Sequence, residues 1–170
     1  PGIVHRIDKD TSGLLVVAKD NKSHEFLAKQ FFNHSINRNY QAIIWGIPNR
    51  SEGIINKPLG RHPVDRKKRA IVETGKSAIT HWKLLETYNH LSLIECRLMT
   101  GRTHQIRVHM KSIGHGILGD QLYGKFRTFA QNYPDSLKKI LKAYTTQALH
   151  AKSLEFIHPR SQKGMEFNSE

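Results

Sequence analysis

Residues 5–12 form a cluster of charged and small polar side chains that runs straight into Gly13 and then five unbroken apolar residues, 14–18. Five apolar residues are too few to cross a bilayer, so the run predicts a buried strand, and the polar cluster becomes a loop delivered onto a sheet edge. A loop on a rigid scaffold is where a protein can hold an acid in a fixed place. Asp8, between Arg6 and Lys9, is the acid this placement singles out. The two cations favour its ionised form, which suits a nucleophile or a base better than a group that must keep its proton. Asp10 is the rival carboxylate.

The rest of the chain alternates between strand and helix signals. Residues 20–23 offer capping side chains, and residues 24–32 place Phe26, Leu27, Phe31 and Phe32 at helical spacing. Residues 38–45 alternate and then turn apolar, predicting a central strand that ends at Gly46 to Asn49, with a short strand over 52–56. Residues 78–86 and 91–98 read as an antiparallel hairpin around Thr87, Tyr88, Asn89 and His90. Thr103 is placed to cap a helix reaching about residue 113, with Ile106, Met110 and Ile113 on one face and Gly114 as its stop. A helical stretch over about 136–142 and a strand over 147–157 follow, and the polar tail 160–170 is expected to fray. No linker separates two cores, so the pattern predicts one α+β domain over residues 1–170, a largely antiparallel mixed sheet flanked by helices and loops.

Charge narrows the partner. Lys and Arg number 27 against 14 Asp and Glu, a formal net charge of +13 that predicts binding to a polyanion. The cations are bunched: Lys57, Arg61, Arg66, Lys67, Lys68 and Arg69 share a stretch that Pro58, Gly60 and Pro63 should keep out of regular structure. That stretch reads either as a phosphate-gripping loop or as a mobile basic loop between strands, and RNA contact is the favoured reading. No basic amphipathic helix suits a membrane surface, and no signal peptide or transmembrane segment is seen, so a cytoplasmic location is expected. The single Cys96 cannot form an intramolecular disulfide and fits a reducing compartment.

Several chemistries find no motif. There is no GxxxxGK[ST], no GxGxxG opening a helix, no HExxH and no CxxC, and Ser12-Gly13 does not meet GxSxG. His104 and His109 stand five apart on the predicted helix and face different ways. No metal and no cofactor are expected.

The segments "HRID" at 5–8 and "DTSGLLVVAK" at 10–19 resemble the active-site region of the RluA-type pseudouridine synthases, with Ile7 where that family usually has Leu. "RNYQAIIWG" at 38–46, "PLGRHP" at 58–63, "TGRTHQIRVHM" at 100–110, "GDQLYG" at 119–124 and "QALHAKSLEFIHP" at 147–159 are similar to its later segments, in the family's order. The resemblance implies a single pseudouridine-synthase-like catalytic domain, missing its opening strands and any upstream RNA-binding domain, that isomerises uridine in RNA without a cofactor. By the same resemblance Asp8 is the catalytic carboxylate, Asp10 is structural, Arg107 pairs with Asp8, and Tyr40 stacks on the target base and helps to move a proton. Leu149, which on its own reads as core, lines the other side of that pocket. Arg102, Thr103, His104 and Gln105 shape the substrate-binding loop and helix start. Arg6 either fills the gap left by an extruded base, with His5 near the RNA, or balances Asp8 or Asp10. "GRHP", carrying Arg61 and His62, and the opening "PGIVHR" are similar to the RluD branch, which modifies large-subunit (23S) ribosomal RNA. The implied partner is ribosomal RNA or a large-subunit precursor, bound by a monomer without a protein partner. Two other readings stand beside this one: a non-catalytic basic RNA-binding module and a metal-free nuclease.

Overall fold

The computed structural model of the chain describes residues 2–124 and 133–170. In chain order its elements are β1 (Gly2–Ile3), β2 (Ser12–Gly13), β3 (Val17–Ala18), α1 (Asn21–Phe32), β4 (Asn37–Trp45), β5 (Glu52–Asn56), β6 (Leu59–Arg61) and β7 (Arg69–Ile71). They continue with β8 (Ile79–Tyr88), β9 (Leu91–Leu98), α2 (Gln105–Ser112), α3 (Asp135–Ala143), β10 (Leu149–Ile157) and β11 (Gly164–Asn168). Among the described residues the main sheet has seven strands, ordered β11-β10-β4-β9-β8-β5, with β2 laid parallel against β10. Every other pairing in it is antiparallel, which makes it the largely antiparallel, mixed sheet that the sequence predicts.

Strand β4 alternates with period two, so Arg38, Tyr40, Ala42 and Ile44 are buried on one face. Helix α2 lays Ile106 and Met110 on that face, against Tyr40, Ala42, Ile44, Ile94, Cys96 and Leu98. Ile44, Ile94 and Met110 are fully buried, each worth about 1.5–3 kcal/mol relative to exposure. This packing fixes α2, and with it Arg107, relative to the sheet. A second cluster joins α1, through Leu27 and Phe31, to Ala18, Ile36, Leu154 and Phe156.

The structure departs from the sequence reading at several elements. Residues 14–18 are not a buried strand: only β3 pairs, with β1, and Leu15 and Val17 stay 42% and 53% exposed while Leu14, Val16 and Ala18 turn inward. An edge strand has one core face, and an unbroken apolar run hides that alternation. Phe32 is 84% exposed, and Gln30 takes the buried place because its amide donates to the Ile157 carbonyl and accepts from the Ile157 N–H. The stretch 57–69 is not all loop, since β6 pairs with β7 in register Leu59↔Ile71 and Arg61↔Arg69, with both prolines outside the paired residues. The β8–β9 turn narrows to Asn89 and His90, Asn89 taking a left-handed φ of 43°. Thr103 caps nothing: α2 starts at Gln105, after His104 in a left-handed conformation with no side-chain cap bond. The tail does not fray, because β11 pairs with β10 and Phe167 stacks on Phe156 at 5.7 Å between ring centres.

One contact sets where the polar loop lies. A Cβ on Gly13 would stand 2.3 Å from the Ala151 carbonyl oxygen, and its φ of +100° also requires glycine. The backbones of β2 and β10 therefore touch directly.

Candidate active site

The loop over residues 5–12 is anchored to β10 at its C-terminal end: the Leu14 N–H donates to the Ala151 carbonyl at 3.0 Å, and Ser12 Oγ lies 2.9 Å from His150 Nδ1. Within the loop the Thr11 N–H donates to the Asp8 carbonyl at 3.0 Å, with Asp10 at a left-handed φ of 68°, a conformation that aspartate tolerates. The buried Gln147 amide donates to the Lys9 carbonyl and, at 3.2 Å, to Thr11 Oγ1. So placed, the Asp8 side chain is 14% exposed.

Arg107 on α2 meets two carboxylates. Its Nε and Nη2 donate to Asp120 at 2.7 and 2.9 Å, a planar fork on a carboxylate, and Nη1 donates to Asp8 Oδ2 at 3.3 Å. Asp120 is fully buried and also accepts the N–H groups of Leu122 and Tyr123 at 2.9 and 3.1 Å. The Arg107 guanidinium carbon lies 5.1 Å from the centre of the Tyr123 ring. The Tyr123 hydroxyl accepts from the Arg69 N–H at 2.6 Å and lies 2.8 Å from His104 Nδ1. Burial opposes the charge of Arg107, but Asp120 and then Asp8 outweigh it and lift its pKa above the ordinary arginine value. The fork thus fixes the guanidinium and leaves one nitrogen to aim and hold Asp8.

Around that pair is a cleft enclosing about 90 Å³, lined among others by Arg6, Asp8, Arg38, Tyr40, Arg107 and Leu149. One water needs roughly 10–15 Å³ of such space, so several waters, or one planar ring in their place, can fit. Burial raises the pKa of the Tyr40 hydroxyl, with Arg38 pulling it down and Asp8 pushing it further up, so the phenol keeps its proton at neutral pH. Arg102, Thr103, His104 and Gln105 also line the cleft. Gln105 is committed to the frame, its amide donating to the Ile79 carbonyl and Thr80 Oγ1 at 3.0 and 2.9 Å while its oxygen accepts from Thr100 and the Arg102 N–H.

His5, Arg61 and His62 are not brought to this cleft. His5 stacks on Phe31 at 4.4 Å, and its Nε2 accepts the Val16 N–H at 3.1 Å. His62 Nδ1 accepts the N–H groups of Val64 and Asp65 and shapes the tip of the β6–β7 hairpin, where Arg61 is exposed. Burial, then the charge of Arg38, lowers the His5 pKa to about 4. Between pH 4 and 6.5 the unfolded chain binds a proton at His5 that the folded chain does not. The His5 contribution to stability is therefore complete above 6.5 and lost as the pH falls toward 4. His5→Gln, which keeps an acceptor for Val16, is expected to flatten the fall of the unfolding midpoint across that window, measured by thermal denaturation at stepped pH.

Residues that sequence reasoning passed over complete the site: Asp120, Tyr123, Gln147 and Arg38. Asp120 and Tyr123 lie in "GDQLYG" and Gln147 opens "QALHA", but the motifs alone do not say which side chain each meets. Among the described residues no three His, Cys, Asp or Glu side chains gather as they would around a metal ion.

The fold matches solved structures. "Human RNA Pseudouridylate Synthase Domain Containing 1" superposes with a TM-score of 0.82 at 24% identity, over 99% of this chain and 68% of that one. A Zymomonas mobilis protein named "Ribosomal large subunit pseudouridine synthase D" is 54% identical over 172 residues, which take in the whole chain and 52% of that protein. A Bacillus subtilis protein named "Uncharacterized RNA pseudouridine synthase YlyB" is 46% identical over 99% of this chain and 52% of its own length. The chain spans about half the length of the curated relatives it matches. Residues 1–112 match the family model described as RNA pseudouridylate synthase. With sequence, family match and fold agreeing, the chain belongs to the RNA pseudouridylate synthase family.

Proposed function

We propose that this chain carries the active site of an enzyme that isomerises uridines in large-subunit ribosomal RNA to pseudouridine. The observation that carries the reading is the buried Asp120–Arg107 fork, which offers its remaining nitrogen to Asp8 in a cleft shared with Tyr40 and Leu149. The relatives' names support the choice of RNA.

In the reaction the N1–C1′ bond breaks, the uracil turns in place, and C5 bonds to C1′. C5 loses a proton and N1 gains one, so no group donor or electron carrier is consumed. Asp8 starts the reaction either by attack on the sugar or by taking a sugar proton, and its position serves both. Arg107 keeps the carboxylate ionised and aimed. Tyr40, protonated, stacks under the base, and Leu149 closes the opposite side. An extruded base fills the cleft and leaves a gap in the RNA that Arg6, exposed at its rim, is placed to enter. We place the action in the cytoplasm and on a monomer. No helix among the described residues is long and apolar enough to cross a membrane.

Incubation of the full-length protein with a large-subunit ribosomal RNA transcript tests the reading. Pseudouridine in an intact strand is expected. Binding without product would favour a pure RNA-binding module, and a cut strand would favour a nuclease.

The basic β6–β7 hairpin gives a separate expectation. RNA affinity should fall steeply as salt rises, because each neutralised phosphate releases counterions. Replacing the exposed Arg66 and Lys67 by Ala should reduce the slope of log affinity against log salt by about 2, measured by filter binding, if each grips one phosphate.

A further inference from the structure

Among the described residues Arg38 is a buried cation without a paired counter-charge. It is 8% exposed, stands two residues before Tyr40 on the same face of β4, and lines the same cleft as Asp8. Its Nε is fully buried with no hydrogen-bond partner, and none of the ion pairs among the described residues includes it. Arg107, by contrast, holds two carboxylates. The Arg38 guanidinium packs 5.5 Å from the centre of the Phe31 ring and over Gly101, where a Cβ would stand 2.7 Å from Nη1 and 3.3 Å from Nη2. Glycine at position 101 leaves the room that this side chain occupies.

Such a group is costly to bury. Desolvation pulls the Arg38 pKa below the ordinary arginine value, yet a guanidinium remains charged at any physiological pH. His5 beside it is neutral, and no carboxylate among the described residues pairs with it, since Asp8 bonds Arg107 instead. Arg38 also marks a junction. Arg6, Arg38, Gly101 and Arg102 line the cleft and, beyond it, a groove shared with His34 and Phe32. A strand leaving the cleft along that groove passes three arginines. Uracil and ribose are neutral, and their oxygens would compensate a desolvated guanidinium less than a full negative charge does.

We propose that Arg38 binds a phosphodiester adjoining the extruded nucleoside, where the cleft opens into the groove, and that this phosphate is the counter-charge missing from the free protein. The proposal rests on the reading of the cleft as a nucleoside site. It makes Arg38 a substrate-positioning residue that is kept at a cost to the unbound fold.

The experiment compares two pentanucleotides, AAUAA and the same RNA with methylphosphonates on both sides of the uridine, bound to the full-length protein and to its Arg38→Met variant. The parent protein should bind the phosphodiester about tenfold or more tightly than the methylphosphonate, and the Arg38 Nε–H resonance should move only with the phosphodiester. Arg38→Met should bind the two alike, and its unfolding midpoint should rise by a few degrees, since an apolar side chain replaces an uncompensated charge. Equal binding of the two by the parent, discrimination that survives in Arg38→Met, or a lowered midpoint in the variant would each overturn the proposal. Pseudouridine formation is read separately on ribosomal RNA. If that RNA is modified and the oligonucleotides bind alike, only the Arg38 assignment falls, and the reverse pattern removes only the enzymatic reading.

Discussion

Asp8→Asn is expected to lower pseudouridine formation by about 10⁴-fold or more while RNA affinity stays within a factor of a few. The substitution keeps the size of the side chain and removes the charge that both chemical routes require. It leaves the frame standing, because Arg107 retains its two bonds to Asp120 and gives up only the 3.3 Å contact with Asp8. Single-turnover conversion of ribosomal RNA, with binding and thermal denaturation alongside, separates these effects. Product formed by Asp8→Asn at a rate near that of the parent would remove Asp8 from the chemistry.

Asp120→Asn is expected to do more damage to the fold. It turns a carboxylate that accepts four hydrogen bonds into an amide that presents N–H groups toward Arg107 or toward the Leu122 and Tyr123 backbone. Removing one partner of a buried ion pair typically costs about 3–5 kcal/mol, so the unfolding midpoint should drop by roughly 6–20 °C for a chain of this size. Arg107 is then left with Asp8 alone, and turnover should fall along with stability. The pair as a whole is a different matter. Arg107→Met combined with Asp120→Asn should recover part of the lost stability in a denaturant titration and remain inactive, since the amide oxygen still accepts the Leu122 and Tyr123 N–H groups and no guanidinium is left buried without its counter-charge, but nothing aims the Asp8 carboxylate.

The two variants mark how far the sequence could be read. Positions 8, 40, 107 and 149 stood out through the segments that contain them, and the structure puts all four on one cleft. Asp120 did not stand out, because what makes it matter is a partner on α2 reached through a turn, and no local pattern records that pairing. Arg38 was within reach: a two-residue period through Tyr40 places it on the same buried face. The sequence reading took position 38 only as the start of that strand, and a charged residue there gave no sign of its depth in the fold. His5 misled for the opposite reason, since its neighbour Arg6 faces the cleft while its own ring packs on Phe31. The prolines at 58 and 63 suggested a loop but flank the short strand β6, the second of them inside the hairpin turn, and the polar tail concealed a strand whose Phe167 repeats the alternation of Met165. Local composition signalled the elements well, but it carried little about which edges would be shared.

The seat of the acid loop also orders events during synthesis. Gly13 and Gln147 connect that loop to a segment 138 positions further along, and at about 5–20 residues per second the second half of this joint follows the first by roughly 7–28 s. The β6–β7 arm, by contrast, closes locally as soon as it emerges. A growing chain can therefore display its basic hairpin well before Asp8 has anything to rest against. On the proposed reading, affinity for RNA precedes the power to alter it, and a prematurely terminated product would be a binder without a working acid.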